Sequence, residues 1–194
     1  MTTTRLEAFS DGVIAILITI MILELKPPEH AVTWDAIREN HLDRKLLAYI
    51  LSYVFLGIYW SNHHHMLHVT KSVNGKILWA NLHLLFWLSL VPLTTAWLGS
   101  NASQAIPTAA YGIVLLCAAQ AYTILQNSIV KFEGPDSTLA AAVGRDNKGL
   151  ISRVLYVVAI GMAFVYPYIS DALYAAVALI WLAPDRRIES KVHH

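Results

Sequence analysis

This sequence predicts an all-α integral membrane protein with six transmembrane helices and both termini in the cytoplasm. Three observations lead there. Hydrophobic residues make up 56% of the 194 residues and charged residues 14%, with a mean hydropathy of +0.50. Soluble domains carry about 25% charged residues, and a chain of this size has too much surface to cover with so few. Uncharged runs long enough to cross a bilayer recur along the chain. The basic residues also fall unevenly on the two sides that those runs define. The formal net charge of +1 gives no basic footprint for nucleic acid. The lone Cys117 excludes an intrachain disulfide and a cysteine-based zinc site.

The first span is placed at residues 5–25. Its uncharged core, Gly12–Leu23, has 12 residues. At about 1.5 Å per residue this covers about 18 Å of a hydrocarbon layer about 30 Å thick. Asp11, Glu24 or both therefore approach the membrane boundary. A signal peptide is the competing reading of so short a core. Glu7 and Asp11 before the core, and no small-residue cleavage pattern after Leu25, count against it.

The second span, 46–68, rests on the 25 uncharged residues Leu46–Thr70. The 54 uncharged residues from Ile77 to Val130 hold two further spans, 77–98 and 107–129. The polar patch Gly99–Gln104 and Pro107 divide them. The shorter runs Val154–Ser170 and Ala172–Pro184 give spans at 150–168 and 171–184, with Asp171 read as a loop residue between them. Loops of about 20 residues, Lys26–Lys45 and Lys131–Gly149, complete a single six-helix domain over 1–194. The first loop has room for a short helix around Trp34–Glu39, and the second reads as a plain connector.

This count puts Arg5, Lys71, Lys76, Lys131, Arg145, Lys148, Arg153, Arg186, Arg187 and Lys191 on the side of the N-terminus. Lys26, Arg38, Arg44 and Lys45 lie on the other side. Ten against four makes the N-terminal side cytoplasmic. Trp60, Trp79, Trp97 and Trp181 fall near span ends, where interfacial aromatics belong.

On a helical wheel with Ile16 at zero, Ile20 lies at about +40°, Leu23 at about −20° and Thr19 at about −60°. Together they make an apolar stripe with one hydroxyl. Asp11 lies about 140° away, and Ser10 about 120° away on the other flank. The stripe suits packing against helices or lipid, as most apolar stripes in membrane helices do, and it also suits the wall of a pore; periodicity does not separate the two. Glu24, at about +80°, serves either as a solvated rim carboxylate or as a charge that gathers cations at the outer mouth.

A polar pair at membrane depth calls for partners. The second span ends Trp60-Ser61-Asn62-His63-His64-His65, and the third opens with Asn81 and His83, all at about the level of Ser10 and Asp11. Asn62, His63, His64 and Asn81 are thus candidates for a polar clasp between the first three spans. A metal site is the rival reading, since His64 and His68 share a helix face and Asp11 or His83 would complete a set. The three consecutive histidines point about 100° apart and cannot serve one centre, and no H-E-x-x-H spacing occurs. The clasp is preferred, with no resident metal expected. A proton-linked role for the imidazoles is a third possibility.

The string Arg5-x-x-x-Phe9-Ser10-Asp11 at the start of a first membrane helix resembles the signature of the transmembrane protein 175 family, the endolysosomal potassium channels of animals and their prokaryotic relatives. The run Trp60-x-Asn62-His63-His64 and the stretch from Asn81-Leu82-x-Leu84-Leu85 to Ser89-Leu90-x-Pro92 resemble the second and third helices of its prokaryotic branch. This resemblance covers residues 5–100 and implies a potassium-selective or weakly selective cation channel, not an enzyme. A single-repeat chain would be a homotetramer in the plasma membrane, its first helix lining a central pore for monovalent cations. By the same resemblance Ile16 is the narrowest ring, with Ile20 and Leu23 as further layers. Thr19 matches a position tied to potassium preference, and Ser10 and Asp11 hold helices together. No cofactor is implied beyond the permeant potassium. His65 and His68 depart from the family pattern and add titratable groups. The alternative from another class is a proton-coupled transporter or proton pathway through the His/Asp cluster.

Overall fold

A computed structural model describes residues 2–26, 41–101, 103–143 and 146–182. All regular structure in them is helical. Helix α1, Thr3–Ile20, starts where the Thr2 hydroxyl accepts a bond from the Arg5 amide, an ordinary N-cap. A 3₁₀ turn, Met21–Glu24, continues it. Then come α2 (Leu42–His68), α3 (Gly75–Ser89), α4 (Val91–Ser100), α5 (Ala105–Glu133), the short α6 (Thr138–Val143), α7 (Asn147–Met162) and α8 (Pro167–Leu182). Three stretches, Thr3–Glu24, Gly75–Ser100 and Ala105–Glu133, are long and apolar enough to cross a membrane, and Pro167–Leu182 is a shorter apolar helix.

The structure departs from the sequence expectations at several points. The span expected over 77–98 lies within the single apolar stretch Gly75–Ser100, but that stretch is interrupted at Leu90, where α3 gives way to α4. Pro92 sits in the first turn of α4. It has no N–H to continue the helical ladder, and its ring disfavours helical continuity with the preceding turn. The Thr94 hydroxyl and amide both turn back to the Leu90 carbonyl. Asp171 lies inside α8, which starts at Pro167, and is not a loop residue. A count of uncharged residues ends a span at any carboxylate, even one the helix carries. The connector after α5 is not plain, because it holds α6 with Leu139 buried. The short helix expected around Trp34–Glu39 lies outside the described residues.

Helix α5 is the centre of the bundle. It packs most extensively on α3 and α7, while α2 pairs with α4 and α7 with α8. One core joins α1, α3 and α5 through Leu6, Ile14, Leu84, Leu88, Leu125 and Ile129. A second joins α2, α5, α7 and α8 through Phe55, Tyr111, Leu115, Tyr156 and Tyr174. Close approach needs small residues in two places. A Cβ on Gly99 would lie 2.9 Å from the Lys45 Cα, so α2 and α4 meet backbone to backbone there. A Cβ on Gly112 would strike the Tyr174 hydroxyl and lie 2.9 Å from Ile160 Cγ1.

Candidate functional site

Helix α1 has two apolar faces with different fates. Leu6, Ser10, Ile14, Leu17 and Met21 recur every three or four residues and are buried against the bundle, chiefly against α2 and α3. The other face carries the predicted stripe. Ile16 is 59% exposed, Ile20 40% and Leu23 68%, and Thr19 is exposed beside them. The Thr19 hydroxyl lies 3.0 Å from the carbonyls of both Ala15 and Ile16, which accept from it. Leu23 sits in the 3₁₀ turn, where three residues complete a turn. It therefore stands nearly above Ile20, and the stripe persists past the end of α1. Phe9 is 50% exposed at the other end, with Arg5 also exposed. Glu24 is exposed within the 3₁₀ turn.

The polar residues of the signature face the bundle. The buried Ser10 hydroxyl donates to the Leu6 carbonyl at 2.8 Å and accepts from Asn81 Nδ2 at 2.9 Å. The Asn81 Oδ1 in turn accepts from His63 Nε2 at 2.7 Å. Ser10, Asn81 and His63, all fully buried, thus form one chain of bonds from α1 through α3 to α2. His64 is turned to the neighbouring residue on α1, its Nδ1 lying 2.8 Å from Glu7 Oε1. Asp11 Oδ1 and His63 Nδ1 are buried with no hydrogen-bond partner among the described residues.

One expected member of the clasp, Asn62, and His83, placed at the same depth, lie elsewhere. Asn62 donates to the Ile58 carbonyl of its own helix at 2.8 Å, and its carbonyl accepts from the Tyr122 hydroxyl of α5 at 3.2 Å. It is one helical step from His63, so about 100° separates the two side chains. His83 is exposed and accepts from Trp87 Nε1 at 2.9 Å. Glu7, which the sequence reading used only against a signal peptide, precedes Asp11 by four residues and so shares its helix face. A second buried hydroxyl cluster was missed. Ser52 lies 2.6 Å from the Thr95 hydroxyl, which donates to it, and 2.9 Å from the Tyr111 hydroxyl.

A helical bundle with three stretches long and apolar enough to cross a membrane, and an apolar face left uncovered on its first helix, has the make-up of a membrane protein. The family model for the endosomal/lysosomal potassium channel TMEM175 matches residues 5–92. A potassium channel of Chryseobacterium sp. is 53% identical over 192 residues, covering 99% of this chain and 98% of the relative. A potassium channel of Streptomyces collinus is 28% identical over 187 residues, covering 91% and 90%. The crystal structure of a lysosomal potassium-selective channel TMEM175 homolog from Chamaesiphon minutus superposes with a TM-score of 0.79 at 25% identity, over 94% of this chain and 97% of that one. The chain belongs to the TMEM175 family, a family of channels and not of enzymes.

Proposed function

We propose that this chain is a potassium-selective or weakly selective cation channel of the plasma membrane. It crosses the bilayer as a single domain of six spans with both termini in the cytoplasm, and it assembles as a homotetramer around a central pore. The observation that carries this reading is the uncovered apolar stripe Ile16, Ile20 and Leu23 on the helix that bears the family signature. Those side chains need a partner other than water, and the buried face of α1 is already committed to α2 and α3. Four copies facing inward supply that partner and build a neck. The names of the relatives and of the structural neighbour support potassium as the permeant ion.

The neck works by hydration. A ring of four isoleucines offers a cation no oxygen ligands, so a narrow ring dewets and closes the path. A wider ring admits an ion that sheds part of its water. Potassium holds its shell less tightly than sodium and crosses more readily, which gives modest selectivity without a carbonyl filter. Thr19, about one turn beyond Ile16 and next to Ile20, adds a ring of hydroxyls at which a partly dehydrated ion finds oxygen. Arg5 and Phe9 lie at the cytoplasmic end of the same face. Ser10 and Asp11 stand behind the pore wall and position it.

The experiment is passive flux from proteoliposomes loaded with potassium, with sodium or a large impermeant cation exchanged outside. Flux ordered potassium over sodium, with the ratio lowered by Ile16→Asn, is the expected result. Flux that saturates and requires a coupled proton would overturn the channel reading in favour of a transporter.

A further inference from the structure

We propose that Glu7, Asp11 and His64 form a binding site for a divalent transition-metal ion of the Zn²⁺ class at the seam between α1 and α2. One ligand atom from each lies within 4.8 Å of the other two. Glu7 and Asp11 are four residues apart on α1 and point away from the Ile16 stripe, at about 180° and 140° from it. His64 comes from α2 and already meets Glu7 Oε1 at 2.8 Å through Nδ1. All three are half-buried. The site is therefore partly dehydrated and still open to an ion from solution.

A second observation points to a ligand at the same place. Asp11 Oδ1 is buried and accepts no hydrogen bond among the described residues. A buried carboxylate oxygen without a donor is costly, and a cation satisfies it. The charges also balance, since two carboxylates and a neutral imidazole around a divalent ion sum to zero.

The donor set selects the metal. Two carboxylate oxygens and one imidazole nitrogen, with no sulfur, suit Zn²⁺, Co²⁺ or Mn²⁺ and disfavour soft monovalent copper. Bonds of about 2.0–2.2 Å in a tetrahedral site bring ligand atoms to about 3.3 Å from one another. Ion binding opens the Glu7–His64 pair slightly from 2.8 Å and draws the other pairs, within 4.8 Å, toward the tetrahedral spacing. The fourth position is left to water. The bound ion ties α1 to α2 on the face opposite the stripe, beside the Ser10–Asn81–His63 chain.

The test uses the full chain in detergent, stripped with a chelator, titrated with Co²⁺ alone and then back-titrated with Zn²⁺. The expected result is one Co²⁺ per chain with visible ligand-field absorption, displaced by Zn²⁺. Glu7→Gln and His64→Ala each weaken binding by about tenfold or more, and His68→Ala leaves it unchanged. Zn²⁺ raises the Tm of the parent and not of Glu7→Gln, whose metal-free Tm reports that it is folded. The absence of stoichiometric binding overturns the proposal. So does binding that survives Glu7→Gln and is lost in His68→Ala, which would place the ion on the His64/His68 face of α2. Binding is read without flux, so its failure and that of the channel reading are separate results.

Discussion

Asn81 on α3 donates from Nδ2 to the Ser10 hydroxyl on α1 at 2.9 Å, and this bond joins the helix with the exposed stripe to the bundle behind it. Ser10 passes its own proton to the Leu6 carbonyl at 2.8 Å, so its acceptor lone pair faces Asn81 without competition. The other end of the Asn81 amide holds His63. Each member is fully buried, and losing one strands the next.

Ser10→Ala is therefore expected to cost about 1–3 kcal/mol, the usual penalty for a buried donor left unpaired. Asn81→Leu should cost more, because it strands the Ser10 hydroxyl and the His63 N–H together. Thermal unfolding in detergent checks both. Unchanged Tm values for both variants would mean that water replaces the chain of bonds.

Ile16 and Leu17 are neighbours in sequence with opposite surroundings, 59% and 6% exposed. Leu17→Asn puts an amide into the core shared with α3 and α5. It is expected to cost about 3 kcal/mol or more, from the lost apolar contact and the unmatched polar group. Ile16→Asn should leave the fold of each subunit intact and change permeation, with faster flux and a lower preference for potassium over sodium. Tm measured beside flux separates them. If Ile16→Asn unfolded the chain while leaving flux in the surviving fraction unchanged, Ile16 would be a packing residue.

How much of this was legible in the sequence depends on the range of each interaction. The stripe was legible because it is one helix read at a fixed period, and the 3₁₀ turn that follows shifts Leu23 without removing it. Ser10, His63 and Asn81 were legible as a group because the hairpin of spans sets their depth, although depth alone included Asn62 and His83, which face elsewhere. Glu7 could have been found by applying to the carboxylates the four-residue rule applied to the histidines. The break at Leu90 was foreshadowed by Pro92 but masked by unbroken hydropathy. The cluster of Ser52, Thr95 and Tyr111 had no local signal, since its partners lie 43 and 59 residues apart in the chain.

That cluster gives a third prediction. Ser52 accepts from Thr95 at 2.6 Å and meets the Tyr111 hydroxyl at 2.9 Å, all three being buried between α2, α4 and α5. The Thr95 hydroxyl also has the Val91 carbonyl 2.7 Å away as an acceptor, and either of the Ser52 and Tyr111 hydroxyls can donate to the other. Tyr111→Phe leaves the buried Ser52 hydroxyl without this partner and should lower stability by about 1–3 kcal/mol. The double variant Tyr111→Phe with Ser52→Ala should lose less than the sum of the two single changes. Additive losses in that thermal-unfolding cycle would show that the two hydroxyls do not act on each other.

The fourth prediction concerns the packing of α5 on α7 and α8. Tyr174 reaches across from α8, buried, with its hydroxyl donating to the Thr108 carbonyl at 3.0 Å and its ring edge-on to Tyr111, centroids 5.5 Å apart. It can lie there only because position 112 has no side chain. A methyl on Gly112 would meet the Tyr174 hydroxyl on one side and Ile160 Cγ1, 2.9 Å away, on the other. The gain in helix propensity from Gly to Ala, about 1 kcal/mol, works against that clash. Overpacking of about 1–3 kcal/mol and loss of the bond to Thr108 outweigh it. Gly112→Ala should therefore lower the Tm, and Gly112→Val should lower it further. Tyr174→Phe relieves the contact at the hydroxyl, so combining it with Gly112→Ala should recover part of the loss. A Gly112→Ala protein more stable than the parent would mean that Tyr174 turns aside at little cost and that α5 and α8 are not held at this spacing.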